Sequence, residues 1–209
     1  TMRLAGTAAN AANISQVAAG ILVLDKPTGV NALAGANVTV GDGTGGPLAD
    51  VLRYGSSDNQ LADTVTVTVN SSGLFDLAGR SDTIGTLAVN GSGSIETGAG
   101  ALTVATAVSS SAAATAGTIS GNLNLGGDSL PFNVADGTAS ADLTVAAKMS
   151  NGTLLKQGAG TLALTDAALN SMASYQLDAG TLDATGLTVA AGRTFTQNGG
   201  TFIGQLKNF

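Results

Sequence analysis

The chain has 209 residues, with 8 basic and 14 acidic side chains, a net charge of −6, and neither Cys nor His. The length suffices for a substantial core. The missing Cys excludes disulfides, thiolate catalysis and Cys-ligated metals, and the lack of a basic stripe argues against nucleic acid or anionic lipid as a partner. Hydrophobic residues make up 44% but aromatics only 3%, so the core is built from small aliphatic side chains; 30 Gly against 3 Pro favour tight turns over collagen or a Pro-rich linker.

The first residues, Thr1-Met2-Arg3-Leu4-Ala5-Gly6, lack the charged and apolar pattern of a secretion signal, which in a secreted protein would lie upstream. No apolar run approaches the roughly 20 residues of a membrane helix, so no direct membrane insertion is expected. Ala8 to Ala19 is Ala-rich but carries no clean helical stripe, and reads as loop or small-residue coil. Short strands follow at Ile21 to Leu24, Val38 to Val40, Val65 to Val69 and Leu74 to Leu77. Thr alternating with Val or Leu places the apolar partner inward and Thr outward. Turns fall at Gly41-Asp42-Gly43, Asn70-Ser71-Ser72-Gly73 and Asn90-Gly91-Ser92-Gly93. Ala105 to Ala116 again reads as loop, and 105–117 as an excursion from the wall. Strands resume at Leu143 to Val145, Leu162 to Leu164 and Leu187 to Val189, with turns at Asn151-Gly152 and Asn198-Gly199-Gly200.

The C-terminal part repeats. Gly160-Thr161-Leu162, Gly180-Thr181-Leu182 and Gly200-Thr201-Phe202 stand 20 residues apart. A fixed period near twenty in a Gly-, Thr- and Ala-rich chain is the mark of a β-solenoid. Residues 1–209 are therefore expected to form a single elongated all-β domain of about 10 coils, roughly 50 Å long at about 4.8 Å per rung. Its end coils present open edges, through which it would meet neighbouring coils or copies of itself. No amphipathic capping helix is visible at either end, and the chain reads as a section of a longer protein.

Residues Leu155 to Thr165, with Lys156-Gln157-Gly158-Ala159-Gly160-Thr161-Leu162 at their heart, and Leu177-Asp178-Ala179-Gly180-Thr181-Leu182 after them, resemble the autotransporter-associated β-strand repeat. Val17 to Lys26 is similar to the second half of another copy, with Ile21 in place of Thr. Asn59 to Asp63, Val65 to Asn70, Gly73 to Gly79 and Thr83 to Leu87 are similar to the segments between repeats, and 110–150 matches least. The resemblance implies a right-handed parallel β-helix in a secreted or surface-displayed bacterial protein. It brings no catalytic motif.

Candidate sites are few. Asp42 and Asp50 flank a Gly-rich loop and could offer carboxylates to Ca²⁺, although the Gly-Gly-x-Gly-x-Asp pattern is absent; an ordinary turn is the simpler reading. A phosphate loop would need a following helix and Lys, and Pro47-Leu48-Ala49 follows instead. Asp178 and Asp183 flank one strand and could pair for glycoside hydrolysis, but Asp178 also fits a turn position. The remaining Asp, among them Asp58, Asp63, Asp82, Asp128, Asp136 and Asp166, scatter through turns, and Glu96 is the only glutamate. Lys156 reads as a solvated corner residue. Tyr54 and Tyr175 are too few for a sugar platform, and Phe75, Phe132, Phe195, Phe202 and Phe209 read as core or end-coil fillers. No catalytic, cofactor or metal site is assigned. The expectation is a non-catalytic solenoid outside a bacterial cell, acting as stalk or adhesin scaffold towards cell-surface or matrix components. A head-to-tail filament subunit is the alternative, and a carbohydrate-binding or carbohydrate-cleaving β-helix the third reading.

Overall fold

The computed structural model describes residues 1–10, 15–33, 35, 37–165, 172, 174–188 and 192–205. Asp166, Val189 and Phe209 lie outside the described residues. Nineteen strands form one continuous wall, every strand pairing is parallel, and no helix occurs among the described residues. The chain winds as a β-solenoid of about 9 turns, roughly 21 residues apart.

The wall has three faces. The first stacks Met2–Leu4, Gly20–Leu24, Asp50–Tyr54 and Gly73–Asp76. It continues through Ile95 and Ile119 into Leu143–Val145, Thr161–Leu164, Thr181–Thr188 and Thr201–Gln205. The second face runs from Gln16–Val17 through Asn37–Val40 and Thr66–Val69 to Ser129–Val134, Thr153–Gln157, Ser174–Leu177 and Thr194–Gln197. The third is the narrowest: Leu33 bridges Leu61, and farther on Leu102, Leu123 and Met149 stack in turn. Within one coil, Asp82–Val89 covers the third face with Asp82 to Ile84 and the second with Thr86 to Ala88.

Alternation decides which side chains enter the core. In Thr66–Val69 each Thr is half-buried and each Val fully buried. One rung of the second face follows another as Val38, Val67, Leu87, Val108 and Phe132, all buried. Burying each such aliphatic side chain contributes about 1.5–3 kcal/mol, and stacking like on like fills the narrow interior with few aromatics. Phe75 and Phe132 are core residues as expected, while Phe195 and Phe202 are half-buried against it, their ring centroids 4.6 Å apart.

The coils are less uniform than a fixed repeat implies. Along the first face the inward residues are Leu22, Leu52, Phe75, Ile95, Ile119, Val145 and Leu164, in steps of 30, 23, 20, 24, 26 and 19 residues. Loops at the corners absorb the extra length, because a corner can lengthen at small entropic cost without disturbing a rung. The expected excursion at 105–117 is corrected in part. Strand Ser94–Ser110 carries 105–110 within the wall, with Val108 paired to both Leu87 and Phe132. The small side chains of this stretch still alternate, and Val108 at the inward position suffices to hold the register. Only 111–116 leaves the wall, and the following loop rests on it, Thr138 and Ala139 both donating from their amides to the Ala113 carbonyl.

Candidate functional site: buried polar groups at the coil corners

The two carboxylates suggested for Ca²⁺ do not converge. Asp50 is buried and accepts from the Ser72 hydroxyl at 2.6 Å. The same hydroxyl accepts from the amides of Asp42 and Gly43 at 3.1 and 2.9 Å. The Asp42 carboxylate turns instead to the hydroxyl and amide of Thr44, both at 2.7 Å, which hold it below the usual carboxylate range. Ser72 thus ties the Gly-rich loop to the next coil. Among the described residues no three acidic side chains gather where a metal could be held.

The pair suggested for glycoside hydrolysis is also committed elsewhere. Asp178 receives amide hydrogens from Gln176 at 2.9 Å, Asn198 at 2.8 Å and Gln157 at 3.3 Å. The bonds from Gln176 and Asn198 hold its carboxyl below the ordinary range, the opposite of what a general acid needs. Asp183 accepts from the amide and hydroxyl of Thr185, at 3.0 and 2.7 Å.

Asp82, expected in a turn, is corrected to a buried position at the start of its strand. One oxygen accepts from the Tyr54 hydroxyl at 2.6 Å and from the amides of Gln60 and Leu61 at 2.8 and 3.0 Å. The other accepts from the Thr83 amide at 2.7 Å. Burial raises the Asp82 carboxyl above its ordinary value against the pull of these donors, and burial, then the neighbouring carboxylate, raises the Tyr54 phenol. Gln60 continues the network by accepting from the Lys26 amide and donating to the Lys26 carbonyl. Lys26 is itself buried, its Nζ donating to the carbonyls of Ala5 and Ala8 at 2.8 and 2.7 Å. Beside it Asp25 accepts from Arg3 and from the amide and hydroxyl of Ser56. Both tyrosines are buried, so neither offers a ring to a sugar.

Lys156 is the largest departure from expectation. It is fully buried, not a solvated corner residue. It occupies an inward position of the second face, between Phe132 in the coil below and Leu177 in the coil above. Its stem lies in that apolar ladder and its ammonium reaches the corner, the inward version of snorkelling. There Nζ donates to the carbonyls of Gln157 and Gly158 at 2.8 Å and of Ala179, in the next coil, at 3.1 Å. Burial lowers the amine to about 8, and the charge of Asp142 opposes the shift. The glycines make the room: a Cβ on Gly180 would stand 2.7 Å from Nζ, and one on Gly160 2.7 Å from the Asp142 carboxylate. The alternation of Thr153 to Gln157, which puts Leu154 and Lys156 on one face, was the signal that could have found it.

These corners define a parallel β-solenoid stitched along its axis by buried side-chain hydrogen bonds. Compared with protein-family models, curated proteins and solved structures, the chain matches none of them.

Proposed function

We propose that this solenoid is a non-catalytic structural element, a stalk or scaffold of a secreted or surface-displayed bacterial protein. The observation that carries the reading is the commitment of the candidate carboxylates: Asp82 and Asp178 bond neighbouring groups of the wall through both oxygens, and Asp50 and Asp183 through one each. A hydrolase on such a scaffold needs carboxyls free to meet substrate. The second support is the resemblance of 155–165 and 177–182 to the autotransporter-associated repeat, whose lysine and glycines have a mechanical use here. That resemblance is also the ground for the extracellular or cell-surface location and for cell-surface or matrix components as partners. Rods seen by electron microscopy, with no activity on a broad panel of polysaccharides, are the expected result. Release of reducing sugar that disappears in Asp178→Asn or Asp183→Asn would overturn it in favour of a carbohydrate-cleaving β-helix. Filaments many times longer than one chain would favour a head-to-tail subunit.

A further inference from the structure

The corner around Lys156 joins three consecutive coils. From below, the Asp142 carboxylate is fixed by the amides of Gly137 and Thr161, both at 2.8 Å. At its own level the ammonium holds the carbonyls of Gln157 and Gly158, and from above it holds that of Ala179. A charged ammonium has three hydrogens and finds three carbonyls. A neutral amine has two, plus a lone pair that repels a carbonyl oxygen. We propose that this corner is a proton-operated joint, in which loss of the Lys156 proton frees the Ala179 carbonyl and loosens the Ala179–Gly180 turn against the coil beneath.

The geometry selects which contact breaks. The two bonds within the coil are made to the residues that immediately follow Lys156 and are the shorter, at 2.8 Å. The bond to the next coil is the longer, at 3.1 Å. Gly158, Gly160 and Gly180 line the corner and bring no side-chain donor to replace the missing one. The elements packed around it bring two carboxylates and a phenol. Asp142 faces the amine from below and favours its charge. The Asp178 carboxylate is turned away towards Gln157, Gln176 and Asn198. Tyr175, on the strand above, is kept neutral by burial. The lowered basicity of the amine places the change in weakly alkaline solution, within reach of a protein exposed to its surroundings.

Two-dimensional NMR of the intact chain from pH 6 to 10, following Lys156 Cε and the amides of Gly180 and Thr181, tests this. The expected result is one shared midpoint near 8, with amide exchange at Gly180 and Thr181 rising above the base-catalysed slope. Lys156→Met should erase the shared titration. If that variant does not fold, the wild-type titration decides alone, by whether Lys156 Cε and the Gly180 and Thr181 amides share their midpoint. A Lys156 midpoint at the ordinary lysine value of 10.5, or a titrating Lys156 that leaves the Gly180 and Thr181 amides unmoved, overturns the joint.

Discussion

The two ends of the solenoid solve one problem in different ways. From Val145 to Leu164, and through Leu162, Leu182 and Phe202, rungs repeat at 19 or 20 residues. Between Leu22 and Val145 the steps range from 20 to 30. The regular end stacks one glycine turn on the next and ties the corners with Asp142, Lys156 and Asp178, each bonded to another coil. The irregular end uses the same kinds of tie, Lys26 with Asp25, Asp50 and Asp82, each bonded to another coil, but at corners of unequal length. A regular coil reproduces its corner automatically, so the same glycine turn recurs and its ties fall at one height. An irregular coil cannot, and side chains that span coils fix where each rung resumes.

The comparison breaks most visibly at Asp82. Replacing it with Ala strands the Tyr54 hydroxyl and the amides of Gln60, Leu61 and Thr83. A loss of about 3–5 kcal/mol is expected, as for other buried charged groups stripped of their partner. Urea unfolding of the variant reads it directly, and a loss below 1 kcal/mol would mean the corner relaxes freely.

At the regular end, Gly180→Ala should cost about 2–4 kcal/mol. Gly180 has φ +68°, and its Cβ would meet Lys156 Nζ at 2.7 Å and the Gly160 carbonyl at 2.5 Å. A left-handed conformation and an overfilled corner both contribute. Gly192→Ala shares the left-handed φ, +76°, but meets nothing within 4 Å, and should lose only the conformational part. Equal losses at both sites would refute the packing argument.

A smaller effect of opposite sign is expected in the middle. Ser110 is buried, and its hydroxyl has no hydrogen-bond partner among the described residues. It stands opposite Val134, at a position where the neighbouring coils present Val. Ser110→Ala should therefore stabilise the protein by about 1 kcal/mol, measured by the shift of the urea midpoint.

Much of this was legible in the residues. Thr alternating with Val at 66–69 and the step from Gly160 to Gly180 contain the strand, its inward face and the period. Lys156 was legible too, by the alternation that carries Leu154 inward, but its charge suggested solvent. Type argued against position, and position won because three carbonyls lie within reach. Asp82 shares its face with Ile84 by the same rule. Asp142 was not readable: its donors, Gly137 and Thr161, are brought to it by a loop whose course no local pattern encodes. The third face was hidden as well, because its rungs are short and borrow the ends of longer strands.

The last test concerns the shape of the pH profile. Asp82, at the irregular end, is a buried carboxylate and Lys156, at the regular end, a buried amine, so protons should act on these two in opposite directions. Asp82 has its folded value raised above 3.8. Its contribution is fully present below that unfolded value and is lost as pH rises through the folded one. Lys156 has its folded value lowered from 10.5 to about 8. Its contribution is fully present above 10.5 and is lost as pH falls through 8. Relative to Asp82→Asn, the wild type should gain stability on acidification; relative to Lys156→Met, it should gain between pH 8 and 10.5, because relief of the buried charge outweighs the Ala179 bond that the corner gives up. Exposed Asp42 and Asp178, both held low, pull the other way only as pH falls through their lowered values, and are common to all three proteins. Urea unfolding at pH 3.5, 7 and 9.5 reads both differences. If the two variants show the same pH dependence, burial does not set the titration of Asp82 and Lys156 in opposite directions.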